Sequence, residues 1–221
     1  MAAVPLLLVL VVALRLFVFV PTFPVTSIAT TSSYQDAALL DRAWSLPVAA
    51  TYAKRVDWQS NGSVCGPASA ANLFRSLGES ATTQDAVLEG SDKCSTGMCI
   101  MGLTLDELSE VMAKKTSRKI TIVRDLSLEA FRAEMKRTND PSRRYLVNFH
   151  RGLLFGKGTG HHSPIGGYLE PEDLVFVLDV NEKFKASRGD PGWLVTTERL
   201  FQAVDSIDDS SGKKRGLLVV E

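Results

Sequence analysis

Cys65 stands in the run Val64-Cys65-Gly66-Pro67-Ala68-Ser69. Pro67 just inside Ala68–Leu77, and Gly78 just past it, predict a helix from about Cys65 to Leu77. The thiol then sits at a helix N-terminus, where unpaired backbone N–H groups favour an anion. A thiolate there is a nucleophile suited to acyl transfer, and it needs a base. The chain offers His150, His161 and His162. His161 and His162 open one predicted strand, and the next ends at Leu178-Asp179-Val180. The turn Glu170-Pro171-Glu172-Asp173 makes the two antiparallel. A turn centred on residue 170 sets position 161 against 179; a centre one residue later moves that pairing by two. Strand neighbours point to opposite faces, so one of the two histidines faces Cys65. Pattern alone leaves three readings open. They are Cys–His–Asp179 catalysis, a His-His metal site short of the usual three or four ligands, and a buried structural cysteine beside ordinary histidines.

The elements that must position these groups divide along the chain. Thr104-Leu105-Asp106-Glu107 is a capping box ahead of Leu108, Val111 and Met112 at helical spacing. Ser127 precedes a helix with Leu128, Phe131 and Met135 on one face, and another helix is predicted over about Thr197–Val204. Strands are predicted at Lys119–Val123, Tyr145–His150, His162–Leu169, Leu174–Val180 and Gly216–Val220. Residues 30–60 show no clear period. Helices first and antiparallel strands later predict an α+β domain.

The chain of 221 residues is long enough to bury a core without disulfides or structural metal. Lys+Arg and Asp+Glu are both 25, a balance that argues against a generic nucleic-acid binder and an acidic disordered tail. Residues 1–30 carry one charged side chain, Arg15, within the apolar run Leu6–Val20. That run is short for a bilayer span, which takes about 20 residues. It suits the core of a secretory signal, with Ser27-Ile28-Ala29 as a cleavage site. Residues 1–29 are therefore expected to be a signal peptide or a membrane anchor through residues 6–20, and residues 30–221 a single catalytic domain. An exported, periplasmic or extracytoplasmic location follows, with membrane anchoring as the alternative. Cys94 and Cys99 are close enough for a small-loop disulfide; free thiols or a soft-metal pair stay open. Cys65 is then the odd thiol.

These residues resemble the phytochelatin synthase family, glutathione γ-glutamylcysteinyltransferases with a papain-like fold. The nucleophile run is similar to the family's. So is Phe149-His150-Arg151-Gly152, followed by Gly158-Thr159-Gly160-His161-His162-Ser163-Pro164-Ile165-Gly166-Gly167-Tyr168. Leu178-Asp179-Val180 matches the family's Asp block, Gln59 falls at its oxyanion-hole Gln, and Gly102–Leu108 resembles its short bacterial members. Asp205-Ser206-Ile207-Asp208 with Gly212–Gly216 matches the end of its catalytic domain. The resemblance covers roughly residues 45–221 and implies a member without the Cys-rich C-terminal extension of plant proteins.

It implies that Cys65 attacks the cysteinyl carbonyl of glutathione, with Gln59 and the Cys65 N–H binding the oxyanion. His161 would protonate the departing glycine, and Asp179 would orient it. Asp205 is expected to meet the substrate ammonium and Arg215 its carboxylate, with Arg151 similarly placed. The γ-Glu-Cys acyl group passes to a second thiol peptide or to water, so transfer and hydrolysis are both open. A non-catalytic thiol or metal-binding protein and a protease acting on a protein leader are the rivals. No tightly bound cofactor is implied, and no nucleic acid. Zinc or cadmium is expected as a metal–thiolate complex of the substrate, and a homo-oligomer is open. Where the family places an acceptor-binding Arg, this chain has Glu182; Lys183 is the nearest cation and lacks the planar fork.

Overall fold

The computed structural model describes residues 21–94, 97–99, 101–186 and 189–221. The apolar run Leu6–Val20 lies outside the described residues. Among them, no helix is long and apolar enough to cross a membrane.

Two short helices come first, α1 (Ala37–Trp44) and α2 (Pro47–Ala50). Asp36 caps α1 by accepting from the Leu39 N–H, and Leu40, Ala43 and Trp44 form its buried stripe. Helix α3 (Cys65–Ser76) carries the thiol at its first position, and Gly78 ends it at φ +73°, the left-handed region open to glycine. Helices α4 (Gln84–Leu88) and α5 (Leu105–Ala113) follow; α5 has the expected Thr104/Glu107 capping box. Then come β1 (Ile120–Val123), α6 (Leu128–Arg137), β2 (Arg144–His150), α7 (Arg151–Phe155) and β3 (Gly160–Leu169). The chain closes with β4 (Leu174–Val177), β5 (Trp193–Thr196), α8 (Thr197–Val204) and β6 (Leu217–Val220).

The strands form one antiparallel sheet in the order β1-β6-β2-β3-β4-β5. One face, with Val147, Ile165, Val177, Trp193 and Leu217, packs against Phe131 and Met135 of α6 and Leu200 and Val204 of α8. The other face packs against α1, α2 and α3 on one side, and α3, α4 and α5 on the other. Burying both faces favours continuous apolar runs, which is the pattern of β4 and of Tyr145–Val147 in β2.

β3 contains a bulge between Ile165 and Gly167. Before it Ile165 faces the α6/α8 side; after it Tyr168 does, a switch from odd to even positions. A Cβ on Gly166 would lie 2.7 Å from the Phe176 ring, so only glycine fits this crowded point. β4 ends at Val177, three residues earlier than predicted. Leu178 still donates to Pro164 O at 2.9 Å, but Pro164 has no N–H to return the bond, and the ladder stops.

Residues 21–29 pack onto this fold, so the folded unit begins before the expected residue 30. The Phe23 N–H donates to Gly156 O at 2.8 Å, and Ile28 is buried in the core beneath the sheet. A cut at Ser27-Ile28-Ala29 would run through a packed segment.

Candidate active site

Helix α3 crosses the sheet face that carries His162; Ser69 Oγ donates to His162 O at 2.9 Å. The first residue of α3 therefore reaches the start of β3. There the His161 ring and the His162 backbone N–H come near enough to the Cys65 thiol to favour its thiolate. No side chain caps α3, so the Cys65 and Gly66 N–H groups at its start are free for an anion. Burial pushes the Cys65 thiol up. The His161 ring, the His162 N–H and the Arg151 charge outweigh it, and the thiol ends below its ordinary value.

His161 Nε2 lies 3.1 Å from Asp179 Oδ1. With Nε2 held there, Nδ1 is the nitrogen left to serve the thiol. Burial and Arg151 push the imidazole down, but Asp179 and Cys65 push it further up, and it is raised overall. Asp179 is fully buried and accepts four further bonds. Arg151 Nη2 donates to its two oxygens at 2.7 and 2.8 Å, the Asn181 N–H at 2.9 Å and Trp193 Nε1 at 2.8 Å. Burial opposes its charge, yet Arg151 and His161 hold the carboxyl well below the usual carboxylate range.

Asp179 reaches His161 because of the bulge. In the register nearest the turn, Leu169 faces Leu174 and Tyr168 faces Val175. Continued unbroken, that register would put residue 179 beside 164, on the face away from His161. The bulge shifts the pairing to Ile165 opposite Val177, which puts 179 beside 163, on His161's own face. His161 and Asp179 are thus diagonal neighbours, the turn centre lying beyond residue 170.

His162 points the other way. Its Nε2 lies 2.9 Å from both Leu103 O and Asn148 Nδ2. Burial pushes its pKa down to about 3, so the ring is neutral. The backbone N–H of Gln59 donates to Val180 O at 2.8 Å, and its Nε2 donates one hydrogen to Asn61 O at 2.7 Å. An amide nitrogen carries two hydrogens, so one is left for an oxyanion. Asn61 Nδ2 donates to Gly97 O, and the Cys99 N–H to Ser63 Oγ. Cys94 and Cys99 form a disulfide, so this loop is tied to a closed ring.

Arg215 is buried and touches the site: a Cβ on Gly160 would strike its guanidinium, and its charge feels Cys65. Nη1 donates to Asn148 Oδ1 at 3.1 Å, and Nε is buried without a protein partner. Asp205, expected to meet the substrate ammonium, pairs with Lys214 Nζ at 2.7 Å and lines one small cavity together with Arg215. The carboxylate facing Arg215 is Asp208, at 3.5 Å. Arg151 is buried and donates to Asp179 through Nη2, its Nε and Nη1 have no protein partner, and Lys183 is exposed. Sequence reading missed Asp208, Asn148 and Trp193. For Asp208 the signal was present, as a second acid in the same block.

The fold is papain-like: a Bacillus anthracis protein described as a C39-like peptidase superposes with a TM-score of 0.53 over 77% of this chain and 95% of its own, at 13% identity. A phytochelatin synthase family model matches residues 21–217. This chain belongs to the phytochelatin synthase family. Glutathione γ-glutamylcysteinyltransferase 1 of Arabidopsis thaliana is 39% identical over 105 residues, 42% of this chain. The Schizosaccharomyces pombe enzyme of that name is 31% identical over 122 residues, 54% of this chain. The chain spans 20% and 28% of those two proteins.

Proposed function

We propose that this protein cleaves the Cys–Gly bond of glutathione through a thioester at Cys65 and passes γ-Glu-Cys to the amine of a second thiol peptide. The observation that carries the reading is the His161 ring held by buried Asp179 at 3.1 Å beside the first residue of α3, with the Cys65 thiol pushed down and the His161 imidazole pushed up by each other's charge. Cys65 Sγ attacks the cysteinyl carbonyl. The Cys65 N–H and the free hydrogen of Gln59 Nε2 bind the oxyanion. His161 Nδ1 protonates the leaving glycine amine, then takes the proton of the acceptor. Arg215 receives the substrate carboxylate in a fork, and Asp208 its ammonium. Zinc or cadmium enters with the substrate as a metal–thiolate complex, since soft metals prefer thiolates. We place the protein outside the cytoplasm on the strength of Leu6–Val20.

Glu182 favours a second reading, hydrolysis. It stands where an acceptor-binding Arg is expected and pairs with Lys185 Nζ at 2.6 Å. Incubation with glutathione and zinc or cadmium, followed by peptide mass analysis, tests both. Longer thiol peptides support transfer. Only γ-Glu-Cys and glycine replace it with hydrolysis, and neither product defeats both.

A further inference from the structure

Arg151 sits against the buried carboxylate of the site. Its Nη2 bonds to both Asp179 oxygens, and the side chain is 8% exposed. The guanidinium lies 3.9 Å from the Phe184 ring centroid and 5.8 Å from those of Phe149 and Phe155. Its backbone is held too. The Arg151 N–H donates to Thr159 O at 2.9 Å, and a Cβ on Gly158, at φ +120°, would meet the Arg151 Cβ at 2.8 Å. Thr159 and Gly160 lead directly into His161. The cation on the carboxylate and the turn that delivers the base therefore form one piece.

We infer that Arg151 is a positioning residue: it fixes Asp179 under the His161 ring and supplies the fourth charge that balances the Cys65–His161–Asp179 array. This deepens the proposed function and rests on it only in taking Cys65 as the nucleophile. The charged and titratable groups around the array come from every neighbouring element. They are Cys65 on α3, His150 at the end of β2, His161 and neutral His162 on β3, Asp179 after β4, Arg151 on α7, and Arg215 with Asp208 and Asp209 before β6. The Tyr34 phenol, in the N-terminal segment, feels Asp179 and Arg151. With thiolate and imidazolium formed, Cys65, His161, Asp179 and Arg151 sum to zero charge. Without Arg151 they carry a net negative charge in a buried site, where charge is poorly screened. The thiolate then forms less readily, so the acid limb of activity moves to higher pH. The imidazolium loses a repelling neighbour and keeps Asp179, so the alkaline limb also moves to higher pH. A packing defect lowers the rate without moving both limbs together.

The test uses the full chain with Arg151→Met, Arg151→Gln and Arg151→Lys. Iodoacetamide alkylation of Cys65 against pH, without glutathione, reads the acid limb; Cys94 and Cys99 are closed in their disulfide. The kcat/KM for glycine release reads both limbs. Met and Gln should move the acid limb up by about one pH unit in both assays, and the alkaline limb in the same direction. Lys, a point charge without the fork, should keep both limbs while kcat/KM falls on the order of tenfold. Should the Met variant fail to fold, Gln, which keeps a donor and loses the charge, carries the same expectation. Unmoved limbs in the neutral variants, or limbs moving in opposite directions, overturn the inference. A wild type that alkylates normally but releases no glycine would defeat the glutathione reading alone.

Discussion

Gln59→Ala removes one of two oxyanion donors and should cost about 10²–10³ in kcat for glycine release. Alkylation of Cys65 should be little changed, because that reaction forms no oxyanion. Steady-state kinetics beside alkylation rates check this, and a variant with undiminished kcat would remove Gln59 from the mechanism. The adjacent histidines separate in the same way. His161→Ala should lower glycine release by at least about 10³-fold. His162→Ala should keep a reactive thiol but lose about 1–3 kcal/mol of stability, since Leu103 O loses its buried partner. Cys65, His161 and Asp179 were legible because residue types in sequence-local blocks name them. Asp208 was not singled out, because Asp205 and Asp208 are chemically alike and only the folded chain sets Asp208 3.5 Å from Arg215.

At the level of elements, one inserted residue in β3 decides whether the site exists. Gly166→Ala forces a methyl against Phe176, at 2.7 Å from Cδ1, and should destabilise the protein by about 1–3 kcal/mol. Glycine release should fall further than stability explains, because the bulge sets the face on which Asp179 lies. Urea unfolding beside kcat measures the two effects, and an undisturbed kcat would show that the bulge is not needed. Short apolar runs bounded by turn residues announced β2, β3 and β4, and Thr104, Ser127 and Pro67 announced helices. The bulge left no such mark. Its glycine pair reads equally well as part of a family motif or as a weak strand. β5 was missed because four residues after Pro191-Gly192 are too few to show a period. α1 was missed because its stripe of Leu40, Ala43 and Trp44 spans barely two turns.

Over the whole molecule, the segment from residue 21 closes the core behind the site. Ile28 is 3% exposed, Tyr34 stacks on Trp193, and the Leu194 N–H donates to Tyr34 O at 2.8 Å. A protein beginning at residue 30 should be less stable than one beginning at residue 21 by about 1.5–3 kcal/mol for Ile28 alone. Equal urea midpoints for the two would show that residues 21–29 do not contribute. Acid should act through His162. Its folded pKa of about 3 lies below the ordinary 6.5, so the unfolded chain binds the proton first. Its contribution is full above the unfolded value and is lost as pH falls from 6.5 toward 3. His161 has the opposite sign, since its folded value is raised and its contribution is lost as pH rises. Urea midpoints at about pH 7 and about pH 5 should therefore differ more in the wild type than in His162→Gln. Equal differences would clear His162.

The sequence by itself marked the candidate nucleophile, base and acid and the family to which the chain belongs. Nucleophile, base and oxyanion donor are properties of residue types in short runs. Tertiary structure alone decided which acid faces Arg215, that Arg151 bonds to Asp179, and that Asp179 shares a face with His161. Those outcomes depend on register, and register is set by a bulge, a proline without an N–H and a hairpin turn acting across strands far apart in the chain.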